Sequence, residues 1–235
     1  MEEKDKNYTT LHDIPPRDYM YFPKGTLHCG KPGSFSKTEL VHLGTAVLVL
    51  TVAFSFVSSP LYRFNLERLL SLLPIVFLGL LSAFIPHELA HKILAQRYGL
   101  WAEFRMYTKG LLLALLFGFF LGFVFAAPGA VMFRGNTDEE SQGKIASGGA
   151  VTNLVLGAIA IVISLFSRNS ILITSTAYIS LVNTLLATFN LIPYGPLDGV
   201  TIFTWSKARW SVFFCVAVIL MVLNLYHTLP FLLHP

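Results

Sequence analysis

Charged side chains are scarce in this chain. Asp, Glu, Lys and Arg make up 13% of its 235 residues, whereas apolar residues make up 54%. Soluble domains usually carry roughly 25% charged residues. The shortage argues against an ordinary soluble protein and against one that binds nucleic acid. It predicts that the lipid bilayer surrounds most of the chain.

Cysteine is scarce as well. The two cysteines, Cys29 and Cys215, are too few and too differently placed to indicate a disulfide framework. An N-terminal apolar run that would suit a cleavable signal peptide is also missing. We therefore expect residues 1–39 to remain as a polar cytoplasmic segment in front of a membrane-embedded domain at 40–235.

The polar segment offers two local signals. His12, His28 and Cys29 are scattered and lack the paired spacing of a zinc ribbon, so we do not favour a metal site there. Ser36 and Glu39 form a capping-box pattern directly before an apolar run. This pattern predicts that the first membrane helix begins at this point.

Long uncharged runs make up most of the remaining chain. Each approaches the ~20 residues that a helix needs to cross a hydrocarbon core of ~30 Å. Because lipid offers no hydrogen-bond partners, the backbone of such runs must be helical or covered by protein. The predicted fold class is an all-α polytopic membrane protein with five to six transmembrane helices. The runs cover residues 40–58, 69–86, 111–133, 148–166, 171–193 and 210–223.

The run at 111–133 has two possible topologies. If it crosses the membrane, the basic residues on its two sides face opposite compartments. If it dips in and returns, the whole basic cluster faces the cytoplasm, which the positive-inside rule favours. Pro128 and several glycines also disfavour an uninterrupted helix, so we predict a re-entrant hairpin. The basic cluster consists of Lys92, Arg97, Arg105, Lys109, Arg134 and Lys144.

Residues 87–91 read His-Glu-Leu-Ala-His near the inner end of the second run. Residues four apart share one face of a helix, so His87 and His91 can bind one ion, while Glu88 can reach a metal-bound water. Ionisable groups inside a membrane are costly and usually functional. The alternative is a helix end whose polar side chains are merely solvated.

A catalytic zinc needs a third protein ligand and one open position. Asp198 follows the fifth run, on the same predicted side and at a similar depth as the two histidines. His42 and His227 are the other candidates at membrane depth. Asp198 could also be a plain turn residue before Gly199.

Two motifs lie about a hundred residues apart. The first is His-Glu-x-x-His at 87–91, and the second is Asn-x-x-Pro-x-x-x-Leu-Asp-Gly at 190–199. Together they resemble the site-2 proteases, a family of intramembrane zinc metalloproteases. The resemblance covers a core of about 69–199.

The resemblance implies one zinc ion per chain, held by His87, His91 and Asp198. It implies that Glu88 is the general base and that Asn190 orients the substrate or stabilises the oxyanion. Asn190 could instead satisfy backbone groups at a helix end.

The resemblance also covers the region between the two motifs. Gly149 and Asn153 look like an intervening Gly-x-x-x-Asn motif, although Asn153 could serve helix packing alone. Ala126–Phe133 could correspond to the family's membrane-embedded sheet. Small strands after the second helix are therefore expected beside the re-entrant hairpin.

The expected activity is regulated intramembrane proteolysis of transmembrane protein substrates in the cell membrane, with the active site towards the cytoplasm. Two other functions stay open. A divalent-metal transporter would use the same histidines along an ion path, and a catalytically inactive membrane scaffold would share the fold. Metal binding and cleavage by a Glu88→Gln variant would distinguish them.

Overall fold

A computed structural model describes residues 33–124, 128–135 and 137–233. His12, His28 and Cys29 lie outside the described residues, as does most of the predicted polar segment 1–39. A 3₁₀ turn at Leu61–Arg63 follows the first helix. The elements are α1 (Lys37–Ser58), α2 (Leu66–Arg97), β1 (Trp101–Met106), α3 (Thr108–Leu121), β2 (Gly129–Arg134), α4 (Glu139–Phe166), α5 (Ser170–Asn190), α6 (Asp198–Trp205) and α7 (Lys207–Leu233).

Five of the described helices, namely α1, α2, α4, α5 and α7, are long and apolar enough to cross a membrane. The helix α3 has 14 residues, which span about 21 Å at 1.5 Å per residue. It is therefore too short to cross a core of ~30 Å. The chain is a multi-pass membrane protein, and the predicted all-α polytopic fold class is confirmed.

Two spanning helices are longer than the apolar runs that predicted them. The helix α2 continues through Pro86 to Arg97, so residues 87–91 lie in its interior rather than at its end. The helix α4 begins at Glu139, where the Asp138 carboxylate accepts the Ser141 N–H at 2.7 Å. Apolar runs mark the part of a helix in lipid, whereas a helix ends where its cap lies.

A two-stranded antiparallel sheet closes the segment between α2 and α4. The strand β1 pairs with β2 from Trp101 opposite Arg134 to Met106 opposite Gly129. The segment between the strands therefore leaves and returns at neighbouring points, and the end of α2 lies on the same side as the start of α4. This arrangement confirms the small strands and agrees with the predicted re-entrant hairpin. Of the segment Ala126–Phe133, the structure describes the part from residue 128, which includes most of β2.

Glycines allow the hairpin to pack as it does. A Cβ at Gly118 of α3 would overlap the backbone carbonyl oxygen of Ala53 in α1, so glycine permits close approach of the two helices. Gly122 has φ +71° and ends α3 in the left-handed conformation that favours glycine. The described residues of the apolar run at 111–133 thus include a helix and a strand.

The predicted capping box is half correct. The Ser36 side chain accepts the Glu39 N–H at 3.1 Å and caps α1. The Glu39 carboxylate, however, binds the Lys92 ammonium group and accepts the Phe104 N–H at 3.0 Å. Glu39 therefore joins α1 to α2 and to β1 instead of completing the cap.

Candidate metal centre

The helix α2 positions the first two candidate ligands. His87 and His91 are one helical turn apart, and their Nε2 atoms are 3.1 Å from each other. Both rings are buried, with 3% and 8% of their residue surface exposed. A helix with the two histidines four residues apart is sufficient to bring both nitrogens to one point.

The third candidate ligand comes from the start of α6. The Asp198 Oδ2 atom lies 3.3 Å from His87 Nε2 and 3.1 Å from His91 Nε2. The chain turns between Asn190 and Asp198. A hydrogen bond from the Trp210 indole N–H to the Leu191 carbonyl, at 2.7 Å, stabilises this turn. A Cβ at residue 199 would overlap that same carbonyl, so Gly199 permits the tight approach.

Hydrogen bonds at the far side of each imidazole fix which nitrogen carries the proton. His91 Nδ1 lies 2.8 Å from the Ile145 carbonyl oxygen, which can only accept, so Nδ1 is the donor. His87 Nδ1 lies 2.8 Å from Asn153 Oδ1. In the neutral rings, both Nε2 atoms therefore direct lone pairs towards the Asp198 carboxylate. Such partners are typical of metal-binding histidines.

The donor set fits a zinc ion. Zinc lies ~2.0–2.2 Å from nitrogen and oxygen ligands in tetrahedral geometry, which separates the ligand atoms by about 3.4 Å. The three separations seen here are 3.1–3.3 Å. The atoms of His87, His91 and Asp198 form the one group of metal-ligand type among the described residues. Three protein ligands leave a fourth position open, as in catalytic zinc sites.

Glu88 lies beside this group without belonging to it. The residue is 8% exposed, and its carboxylate lies near the backbone of Val131 in β2. Its assignment as the general base stays a prediction.

A glycine makes room for the two imidazoles. An added Cβ at Gly149 of α4 would lie 2.6 Å from His87 Cε1 and would overlap His91 Nε2. The helix α4 therefore contacts the histidines twice: the backbone at Gly149 packs against both rings, and the Asn153 side chain hydrogen-bonds His87. Asn153 contacts a candidate ligand directly, so helix packing is not its only role.

The other predicted residues have hydrogen-bond partners of their own. His42 accepts the Met106 N–H at 3.4 Å, and His227 hydrogen-bonds Ser164 at 2.8 Å. The Asn190 amide donates to the Leu186 carbonyl at 3.0 Å, which satisfies a backbone group near the end of α5. Its catalytic role stays a prediction.

The sequence did not predict the partners of two buried polar residues near the centre. Lys92, 2% exposed, follows His91 and pairs with Glu39. Asn183, fully buried in α5, hydrogen-bonds Asn153. Their signal is a costly polar residue at membrane depth, but the partner of each becomes visible only after the helices pack.

Comparison with known proteins identifies the chemistry. The chain is 33% identical over 180 residues to a protein of Methanocaldococcus jannaschii named "Putative zinc metalloprotease", and the match covers 76% of this chain and 90% of that one. This chain belongs to the same zinc metalloprotease family. Zinc is thus the metal that the name of the relative and the donor set both indicate.

Two further relatives are partial matches. The "Putative zinc metalloprotease Rip3" of Mycobacterium tuberculosis is 32% identical over 141 residues, and this chain spans 32% of its length. A second Methanocaldococcus jannaschii protein, named "Zinc metalloprotease", is 29% identical over 126 residues, again across 32% of its length. No protein-family model matches the chain, and no solved structure matches it.

Proposed function

We propose that this protein is an intramembrane zinc endopeptidase of the site-2 protease type. In this proposal it cuts transmembrane protein substrates within or near their membrane segments. The observation that carries the proposal is the position of the metal centre. Two ligands lie on a membrane-spanning helix, the third lies where the chain returns after α5, and all are buried among spanning helices.

The reaction would use the residues as follows. A zinc ion bound by His87, His91 and Asp198 would supply Lewis acidity, which activates water and polarises the scissile carbonyl. Glu88 would take a proton from the attacking water and pass it to the leaving amine, a contribution typically worth 10²–10⁴-fold in rate. We also assign to Asn190 the task of orienting the substrate or binding the oxyanion, as the motif at 190–199 suggests.

The strand β2 offers a place for the substrate backbone. Glu39 and His42 accept the N–H groups of Phe104 and Met106, so these residues of β1 direct their backbone groups away from β2. Val131 is opposite Phe104 in the register. Opposite residues of an antiparallel pair direct their backbone groups the same way, so the N–H and C=O of Val131 also point away from the partner strand. The position of the Glu88 carboxylate near the Val131 backbone agrees with this geometry.

The two edges of the sheet therefore differ. Side chains of α1 occupy the outer edge of β1, whereas the outer edge of β2 borders the general base. A transmembrane helix must unwind before cleavage because its carbonyls are already paired. We propose that the unwound segment adds to the β2 edge through main-chain hydrogen bonds, which carries its peptide bonds past Glu88.

The distribution of basic residues supports a cytoplasmic site in the cell membrane. The sheet places Arg134 beside the end of α2, so the basic cluster stays on the side of the metal centre. Lys207 and Arg209 at the start of α7 add to that side, since α5 and α6 return the chain there. The opposite loops hold Arg63, Arg68 and Arg168. The positive-inside rule then orients the protein.

The test compares Glu88→Gln, His87→Ala and the matched control Glu67→Gln, an exposed position on the same helix. Each variant is purified in detergent, assayed for bound zinc, and mixed with a single-span substrate in liposomes. We expect Glu88→Gln to keep about one zinc per chain and lose cleavage by at least 10²-fold. His87→Ala should lose both, and Glu67→Gln neither.

Two results would contradict the proposal. Normal cleavage by Glu88→Gln would remove the general base. Zinc transport across vesicle membranes by a wild type that cuts no substrate would indicate a transporter instead. Removing the metal from the wild type with a chelator and restoring it with zinc should abolish and then recover cleavage.

A further inference from the structure

A chain of buried amides leads from α5 to the metal-facing imidazole of His87. It runs from Asn183 through Asn153 to His87 Nδ1, with separations of 3.2 and 2.8 Å. Both asparagines are fully buried, with 0% of their surface exposed. In this surrounding, each amide group must find a partner of the correct polarity because an unmatched one costs the full desolvation penalty.

Backbone carbonyls give the chain a direction. The Asn153 Nδ2 atom lies 3.2 Å from the Ala83 carbonyl, which only accepts, so this end of the amide must be the donor. The Oδ1 atom of Asn153 then faces His87 and must accept. Rotating the Asn153 amide by half a turn would place two donors against each other at His87 and two acceptors against each other at Ala83.

Asn183 is held in the same way. Its Nδ2 atom donates to the Ile179 carbonyl at 2.9 Å and to the Ser82 hydroxyl at 3.3 Å. Its Oδ1 atom is therefore left to accept from Asn153 Nδ2. The Asn153 amide of α4 is thus held by two acceptors, Ala83 O in α2 and Asn183 Oδ1 in α5.

We propose that Asn183 is a positioning residue for the zinc site. It orients the Asn153 amide so that Oδ1 accepts the His87 Nδ1 proton, which leaves the Nε2 lone pair for the metal. Asn183 itself touches neither the ligands nor the substrate. Loss of a direct partner of a ligand, such as Asn153, typically weakens metal binding by 10–100-fold, so loss of the residue that orients this partner should weaken it by about 3- to 10-fold.

The inference rests on the zinc ligands of the proposed function but not on intramembrane cleavage. The readout is therefore the zinc dissociation constant, measured in detergent by competition with a chelator, together with the absorption spectrum of the cobalt-substituted protein. Asn183→Leu should bind zinc about 3- to 10-fold more weakly, which is less than the loss expected for a direct partner, and should change the cobalt spectrum. Asn183→Ala serves in the same comparison if the larger leucine prevents folding.

The matched control is Asn224→Leu. Asn224 is also fully buried, and its amide donates to Thr184, the residue next to Asn183. This variant removes a buried amide that donates to Thr184 and to the Leu220 carbonyl in the same part of the bundle. It should keep the zinc affinity and the cobalt spectrum of the wild type.

A second background separates orientation from general damage. In Asn153→Leu the acceptor that Asn183 is proposed to orient is absent. Adding Asn183→Leu to Asn153→Leu should therefore cause no further loss of zinc affinity. An equal loss in both backgrounds would show that Asn183 acts only through packing and would overturn the proposal.

The failures of the two proposals are distinguishable. A wild-type protein that binds no zinc would remove the proposed function itself. A wild type that binds zinc tightly, with an Asn183→Leu variant that binds it equally well, would overturn only the role of Asn183.

Discussion

Gly149→Ala should weaken zinc binding although it adds one methyl group. The new Cβ would lie 2.6 Å from His87 Cε1 and 2.7 Å from His87 Nδ1. Carbon atoms in favourable contact are about 3.5–4.0 Å apart, so the ring must move by about 1 Å. Metal–ligand distances tolerate only about 0.2 Å. A displaced His87, with His91 also obstructed, should lower zinc affinity by 100-fold or more.

The control for this prediction is Gly44→Ala in α1. A Cβ at Gly44 meets no atom within 4 Å, so the variant tests only the preference of helices for alanine, which stabilises by up to about 1 kcal/mol. Both variants gain this helix preference. We therefore expect Gly149→Ala to stay folded in a thermal unfolding assay while its zinc dissociation constant rises.

The measurement is competition for zinc between the purified protein and a chelator of known affinity. Zinc binding by Gly149→Ala within about threefold of the wild type would refute the reasoning. It would mean that α4 can move away from α2 at little cost, so that the close contact between Gly149 and the imidazoles does not define the site.

Two further predictions concern the ion pair and the topology. Lys92→Met should lower the free energy of unfolding by about 3–5 kcal/mol, because it leaves the Glu39 carboxylate buried without its cation. Adding Glu39→Gln should restore most of the lost stability, since glutamine keeps an oxygen for the Phe104 N–H. Thermal unfolding in detergent measures both variants. An unchanged stability of Lys92→Met would contradict the role of the ion pair. Single cysteines introduced as Gly99→Cys and Thr137→Cys, with Cys29 and Cys215 replaced by serine, should react with an impermeant thiol reagent from the same side of the membrane. Labelling from opposite sides would disprove the re-entrant hairpin.

Local sequence patterns predicted the two halves of the metal centre. The histidines lie four apart on one helix, so their spacing alone brings them together. Asp198 lies in a motif that ends an apolar run, and run counting placed it on the same side as the histidines. Their convergence depended on the hairpin at 111–133, which the basic cluster and Pro128 predicted correctly.

The missed features depend on contacts between distant segments. Lys92 looked like a marker of topology, but it is buried against Glu39, which is 53 residues away. The sequence predicted that Glu39 caps α1, whereas its carboxylate binds Lys92 in α2. Asn183 is one of several polar residues within the run at 171–193. Its hydrogen bond to Asn153 forms only when α4 and α5 pack together. No periodicity in the sequence encodes which helices become neighbours.

The order of the ligands along the chain has a consequence for biosynthesis. His87 and His91 enter the bilayer with the second spanning helix, whereas Asp198 follows two further crossings. During synthesis, the nascent protein therefore holds two imidazoles in the membrane for the time in which more than a hundred residues are added. Zinc capture by all three ligands becomes a late event in assembly. The complete site would form only after α6 has packed against α4, so an incomplete chain would lack the third candidate ligand.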